Sequence, residues 1–234
     1  MKSYFITGTD TDVGKTFVTC ALVHSIKTRG LRVAPMKPIA AGRTNIGGVD
    51  MNEDVAALCE VAESSAPARD INPYCFSEPI APHLAAQHEN TAVEMAVIRA
   101  AFARLAAGAD TVLVEGAGGF LVPLSADQSM AEIPVALGLD VILVVSMRLG
   151  VLNHALLTAE AIRSRGLTLA GWVANCTVPG TVMAAFDENI ATLKQMLDAP
   201  FLGIVPYDVK FDGTLERARR ASAHLQISSL MKVN

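Results

Sequence analysis

The run Gly8-Thr9-Asp10-Thr11-Asp12-Val13-Gly14-Lys15-Thr16 has the residue types that hold a polyphosphate, and its second half ends in Gly-Lys-Thr. Gly14 lets the backbone approach an anion with no Cβ in the way. The amides that open the following helix point at that anion. Lys15 supplies a point charge to the outer phosphates, and the Thr16 hydroxyl is a ligand for Mg²⁺. Five residues separate Gly8 from Gly14, where the usual phosphate loop has four. The bland alternative is a tight turn with a solvated Lys, but the strand–loop–helix setting that the motif requires is met.

A carboxylate and a second lysine extend this chemistry. Glu115 follows the apolar run Thr111–Val114 and precedes Gly116-Ala117-Gly118-Gly119. A charge at the end of a buried strand is costly unless it is paired or bound to a metal. If that strand neighbours the first, Glu115 faces the loop and Mg²⁺ is its natural partner, while the glycines offer amides to an anion. The alternative is a structural ion pair with a nearby Lys. Met36-Lys37-Pro38 ends a second run. Pro38 biases Lys37 towards an extended backbone, which aims an ammonium into the same crevice. Asn52-Glu53-Asp54 opens a helix. There Asp54 is either a helix-start carboxylate or a third oxygen ligand for the metal.

Such groups need a scaffold of strands whose carboxyl ends meet in one crevice. Strands are expected at Tyr4–Thr7, Arg32–Met36, Thr111–Val114, Val141–Val145, Leu169–Ala174 and Phe201–Val205. Helices are expected at Lys15–Arg29, Asn52–Glu63, Thr91–Ala107, Asn153–Arg165 and Thr181–Leu197. The strand runs are continuously apolar, as in a sheet covered on both faces. The expected fold is α/β: a doubly wound, mostly parallel sheet with helices on both faces, P-loop NTPase-like, in one domain spanning 1–234. The charges of Arg217, Arg219, Arg220 and His224 read as a solvated helix face.

Nineteen Lys and Arg against 23 Asp and Glu leave a formal charge of −4, which excludes a protein that works by blanketing nucleic acid or anionic lipid with positive charge. With 51% hydrophobic and 18% charged residues, the chain must bury a core. Cys20, Cys59, Cys75 and Cys176 form no CxxC pair, and the five histidines show no ligand spacing, so no zinc site is expected. The N-terminal apolar stretch is too short for a signal peptide. The run Pro134–Val145 is interrupted by Asp140 and is too short to span a bilayer. A soluble, cytoplasmic protein is expected, with no nucleic-acid or membrane partner.

The chain resembles the dethiobiotin synthase family of ATP-dependent carboxylases. The resemblance runs through the glycine loop, Lys37-Pro38, Asp54, Asn72-Pro73-Tyr74, Glu78-Pro79, Pro82-His83, Val114–Gly119, Leu149-Gly150, Asn153-His154 and Gly171–Asn175. It implies the substrates 7,8-diaminononanoate, CO₂ and ATP, with Mg²⁺, and a homodimer whose substrate site lies at the subunit interface. It implies that Thr16, Asp54 and Glu115 hold the metal. Asp12, Val13, Gly14, Lys15, Thr16 and Phe17 would wrap the phosphates, with Gly116, Ala117 and Gly118 nearby. Thr11 and Lys37 would contact the carbamate, and Lys37 and Lys15 would be the catalytic charges. Asn175 and the Pro206 segment would face the adenine. Gly150, Val151, Leu152 and Asn153 of the other subunit would hold the distal carboxylate of the substrate. The chain departs from the family in two places. Ala40-Ala41-Gly42 stands where the family usually has Ser or Thr, so the hydroxyl contact to the carbamate is either lost or replaced by Thr11 or a backbone amide. Asp12 stands where Glu is common. The rival class is a partitioning or switch-type P-loop ATPase. That class uses a Lys early in the loop, and Thr9–Asp12 has none.

Overall fold

All five residues of β1 (Tyr4–Gly8) are buried, as an uncharged run must be when both faces of its sheet are covered. The structure is a computed structural model that describes residues 2–179, 183–208, 210 and 212–231. After β1 come α1 (Lys15–Lys27), β2 (Val33–Met36), β3 (Ile39–Ala41), β4 (Thr44–Ile46), β5 (Val49–Met51) and α2 (Glu53–Ala62). Next are α3 (Ala68–Ile71), β6 (Tyr74–Phe76), α4 (Pro82–His88), α5 (Met95–Gly108) and β7 (Thr111–Gly119). The chain continues through α6 (Glu132–Leu137), β8 (Asp140–Ser146), α7 (Val151–Ser164), β9 (Leu169–Asn175), α8 (Phe186–Met196), β10 (Phe201–Val205) and α9 (Thr214–Ser222).

Six strands form one parallel sheet in the order β10-β9-β8-β1-β7-β2. The chain fills one side of β1 first and the other side from β8 onwards. The order therefore reverses at β1, and the crevice at its carboxyl end is where such sheets bind ligands. Ile6 is in register with Glu115, so the strand carrying Glu115 does neighbour the first. Successive residues point to opposite faces. Phe5 packs with Trp172, Ile98 and Ile162 on one face, under α5, α7 and α8. Tyr4 and Ile6 pack with Leu22 and Ala218 on the other, under α1 and α9. Full burial of a Phe or Leu side chain contributes about 1.5–3 kcal/mol each, so these two layers fix the strand ends that carry the site.

Several boundaries differ from the sequence expectation. The third main strand does not stop at Val114. It runs to Gly119, so Glu115 lies inside a strand. The helix expected from Thr91 starts at Met95, because α4 ends at His88 and the Thr91 amide turns back to Ala86 O at 2.9 Å. The helix expected from Asn153 starts at Val151, and its cap is Gly150 in the left-handed region at φ 94°. The helix expected from Thr181 begins at Phe186, after Ala185 at φ 53°; Thr181 lies outside the described residues. Its Asp187 and Glu188 sit in the first turn, where carboxylates suit the helix dipole. The small sheet of β3 with β6 and the hairpin of β4 with β5 were not foreseen. The Gly47-Gly48 turn of that hairpin has both φ values positive, 60° and 89°, the pairing that suits a two-residue hairpin turn. The three arginines do sit on a helix, with Ala218 and Ala221 buried beneath, whereas His224 lies in the turn that follows it. Arg217 departs from a purely solvated role: its guanidinium lies over the Phe17 ring at 5.0 Å. Among the described residues, no helix is long and apolar enough to cross a membrane.

Candidate active site

The loop after β1 is braced at several points. Thr9 N donates to Val144 O at 3.1 Å, tying the loop to β8. Asp10 accepts from the Thr11 amide at 2.8 Å and from Arg148 at 2.7 Å. Gly14 closes the loop at φ 82° and caps α1. A Cβ there would run into Asn175 Nδ2, and that nitrogen donates to Val13 O at 2.8 Å. Gly14 is thus required for both its conformation and its contact. Gly14→Ala should lose at least about 1–2 kcal/mol from the left-handed strain alone and should lose nucleotide binding as the loop shifts. Urea unfolding and nucleotide titration measure the two effects. Wild-type values in both would contradict this role.

Five side chains converge from different elements. Lys15 opens α1, is buried, and folds back to donate to Asp10 O at 2.9 Å. Thr16 donates to Glu115 Oε1 at 2.7 Å. Lys37 follows β2 and donates to the same Oε1 at 2.6 Å. Its ammonium also pairs with Asp54 Oδ2 at 3.0 Å. Asp54 stands in the first turn of α2, whose cap is Asn52. The structural ion pair considered for Glu115 is therefore present, with Lys37 as the partner.

Burial alone pulls the Lys37 pKa down, but the charges of Glu115 and Asp54 and their hydrogen bonds outweigh it, and the net direction is up. Burial pushes Asp54 up, and Lys37 outweighs it, so Asp54 ends below its ordinary value. Both directions keep this pair ionised at neutral pH. Lys15 moves the other way. Burial pulls it down more than Glu115 holds it up, with Lys37 as a like charge adding to the fall. An ammonium in that position gains from a phosphate anion.

Glu115 Oε2 is fully buried and has no hydrogen-bond partner. An unmatched carboxylate oxygen beside the Thr16 hydroxyl and Asp54 fits a small divalent cation. Mg²⁺ takes one or two carboxylates and completes its shell with phosphate oxygens and water. Among the described residues, no group of three or more His, Cys, Asp or Glu is placed to hold a metal, so a cation held here would take its remaining ligands from phosphate and water.

A cavity of about 680 Å³ opens above this cluster. Thr11, Asp12, Gly14, Lys15, Thr16, Lys37, Ala41, Asp54, Ala117 and Gly118 all line it. Glu115 lies beneath, fully buried. Gly116 packs on Phe5 and Met130, and the buried Val13 side chain packs under Gly8. Phe17 faces Arg217 instead of the cavity. Asn175 is buried against the loop, its Oδ1 without a partner. Pro206 is exposed just beyond β10. Gly150, Val151, Leu152 and Asn153 do not line the cavity of their own chain; Asn153 is exposed on α7.

Sequence reasoning did not assign Asn52 or the Pro79–Pro82 wall. Asn52 Oδ1 accepts from Asp54 N at 3.0 Å, while its Nδ2 donates to Ala41 O at 3.1 Å and Gly42 O at 2.9 Å. It therefore joins the wall carrying Ala41 to the helix carrying Asp54. The cap spacing Asn52-x-Asp54 was a usable signal. Pro79, Ile80, Ala81 and Pro82 line the cavity; their motif was noted, but no contact could be inferred from it.

A parallel sheet with a glycine loop at its point of reversal, and Gly-Lys-Thr opening the next helix, defines a P-loop NTPase fold. Solved structures agree. The MinC:MinD cell division protein complex of Aquifex aeolicus matches with TM-score 0.57 at 15% identity, covering 94% of this chain and 86% of that one. A ParA family ATPase from Chlorobium tepidum matches with TM-score 0.54 at 13% identity, covering 96% and 100%. At such identities the likeness is one of fold. Sequence relatives are more specific. A family model described as an AAA domain matches residues 2–214. A protein of Aromatoleum aromaticum named ATP-dependent dethiobiotin synthetase BioD is 52% identical over 88% of this chain and 91% of its own length. One of the same name from Nitrosospira multiformis is 49% identical, covering 98% and 96%. The chain belongs to this dethiobiotin synthetase family, as the motif resemblance implied.

Proposed function

We propose that the protein carboxylates 7,8-diaminononanoate with CO₂ and closes the ureido ring to give dethiobiotin, converting ATP to ADP and phosphate. The observation that carries this reading is the meeting of Lys15, Lys37, Thr16, Asp54 and Glu115 at one cavity in a chain of this family.

An unprotonated substrate amine captures CO₂ and becomes a carbamate. A carbamate oxygen attacks the γ-phosphate in line, and ADP leaves. The second amine then opens the carbamic–phosphoric anhydride, forming the ring and releasing phosphate. The scheme needs no side-chain nucleophile; the protein positions the reactants and neutralises charge. The loop 12–17 would wrap the phosphates, with Lys15 turning from Asp10 O to the outer oxygens. Lys37 would face the carbamate and the transferred phosphoryl group, and Thr11 would hold the carbamate, because Ala41 has no hydroxyl to offer. Thr16, Asp54 and Glu115 would hold Mg²⁺, which supplies two positive charges to the triphosphate when bound. Together with Lys15 and Lys37 this matches the four negative charges of ATP. Asn175, with its unpartnered oxygen, and the Pro206 segment would serve the adenine.

The remaining parts of the reading follow the family resemblance. The protein is a cytoplasmic homodimer with one domain per chain. The segment Gly150–Asn153 of a second copy receives the substrate carboxylate. Gly150 and Asn153 are exposed at the start of α7, which suits that role, since a helix N-terminus attracts a carboxylate. An ADP-release assay with purified protein tests the whole. Release should require both bicarbonate and the 7,8-diamine. Release that ignores the diamine and responds to DNA or lipid vesicles would favour the switch ATPase and overturn the reading.

A further inference from the structure

Lys37 follows β2, an edge strand of the main sheet, which among the described residues pairs with β7 alone. The outward backbone groups of an edge need partners from elsewhere. Here the segment joining α3 to β6 provides them. Lys37 N donates to Ile71 O at 2.8 Å, and Lys37 O accepts from Asn72 Nδ2 at 2.6 Å. The same Asn72 nitrogen donates to Tyr74 O at 3.0 Å, and Tyr74 N donates to Pro38 O at 3.1 Å. Both peptide groups of Lys37 are thus gripped from one side, and among the described residues Asn72 is the one side chain in the grip.

We infer that Asn72 is a positioning residue for the phosphoryl-transfer step, acting by fixing the backbone from which Lys37 reaches into the cavity. The inference rests on the role proposed above for Lys37. A lysine side chain has a long flexible stem. In the resting protein its far end is held by Glu115 and Asp54. To serve a phosphate or carbamate, the ammonium must loosen one or both of those contacts. The anchored backbone then sets where the charge can go. A displacement of about 1 Å in such a group costs on the order of a hundredfold in rate. The competing role is structural: Asn72 merely supports the small sheet of β3 with β6.

A double-mutant cycle on the full-length protein separates the two. Single-turnover ADP formation is measured for Asn72→Ala, Lys37→Ala and the double variant, with melting curves of each protein without nucleotide. Asn72→Ala should lower the rate by about 10-fold to 100-fold with KM for ATP unchanged. In the Lys37→Ala background, the same substitution should change nothing. Equal losses in both backgrounds, or no loss in the single variant, would overturn the inference. If Asn72→Ala does not fold, Asn72→Ser, which keeps one donor, is put through the same cycle with the same deciding outcomes. A Lys37→Ala protein with full activity would instead remove the proposed role of Lys37, and this inference with it. A crippled Lys37→Ala with additive losses removes the inference alone.

Discussion

Lys37→Ala should fold and yet lose about 10²–10³ of its turnover, the usual cost of deleting one preorganised charge donor at a reacting centre. The ammonium is 5% exposed at the side chain and lies within 3.0 Å of two carboxylates, so neither bulk water nor a salt ion can replace it in place. Its loss also strands Glu115, which is fully buried. Removing one partner of a buried pair typically costs about 3–5 kcal/mol. Domains of this kind hold about 5–15 kcal/mol in total. A lower melting temperature with a cooperative transition is therefore expected. Steady-state assays at saturating ATP and diamine, with melting curves alongside, measure both effects. Unchanged turnover in a folded variant would end the catalytic assignment of Lys37.

Glu115→Gln should be nearly as damaging, but by a different route. Glutamine keeps the shape and one carbonyl oxygen, yet removes the charge that holds Lys37 and Thr16 at 2.6 and 2.7 Å. It also replaces the orphaned Oε2 or its mate with an N–H₂ group, which repels a cation. Turnover is expected to fall by about 10²–10³, and the Mg²⁺ concentration for half-maximal rate should rise. Raising Mg²⁺ should partly restore Glu115→Gln and should not restore Lys37→Ala. A Mg²⁺ profile identical to wild type would remove Glu115 from the metal set. The stability change should be smaller than for Lys37→Ala, because Lys37 keeps Asp54 as a partner.

The groups that were legible in the sequence share one property: each sits next to a strand or helix end that its own neighbours define. Lys15 and Thr16 open a helix after Gly14, Lys37 is fixed by Pro38, and Asp54 follows a capping Asn52. β10 was legible over its whole length, Phe201–Val205, because it is a short apolar run with clear flanks. The extension of β7 through Gly116–Gly119 was hidden, since glycine carries no strand preference and only the neighbour β1 draws it into the sheet. Strands of three residues such as β3 and β6 carry too short a pattern to register. Asn153 was read as the first residue of its helix. The turn at Gly150 places the cap three residues earlier, and only the backbone geometry reveals it. Beyond their local contacts, Asn52 and Asn72 were unreadable as braces because the carbonyls of Ala41, Gly42 and Lys37 that they tie lie 10 to 35 positions away, joined only by the tertiary fold.

Lys37, Glu115 and Asp54 form a salt-bridged trio at the floor of the cavity. The resting protein carries an internal counter-ion beside the two acidic groups proposed to hold the metal. Lys37 offsets the charge of the fully buried Glu115, while Asp54, 46% exposed at the side chain, also keeps contact with water. On the proposed metal set, loading the enzyme would exchange one cation for another over a trio whose net charge is −1, and the lysine released by that exchange would become available as the anionic cargo arrives.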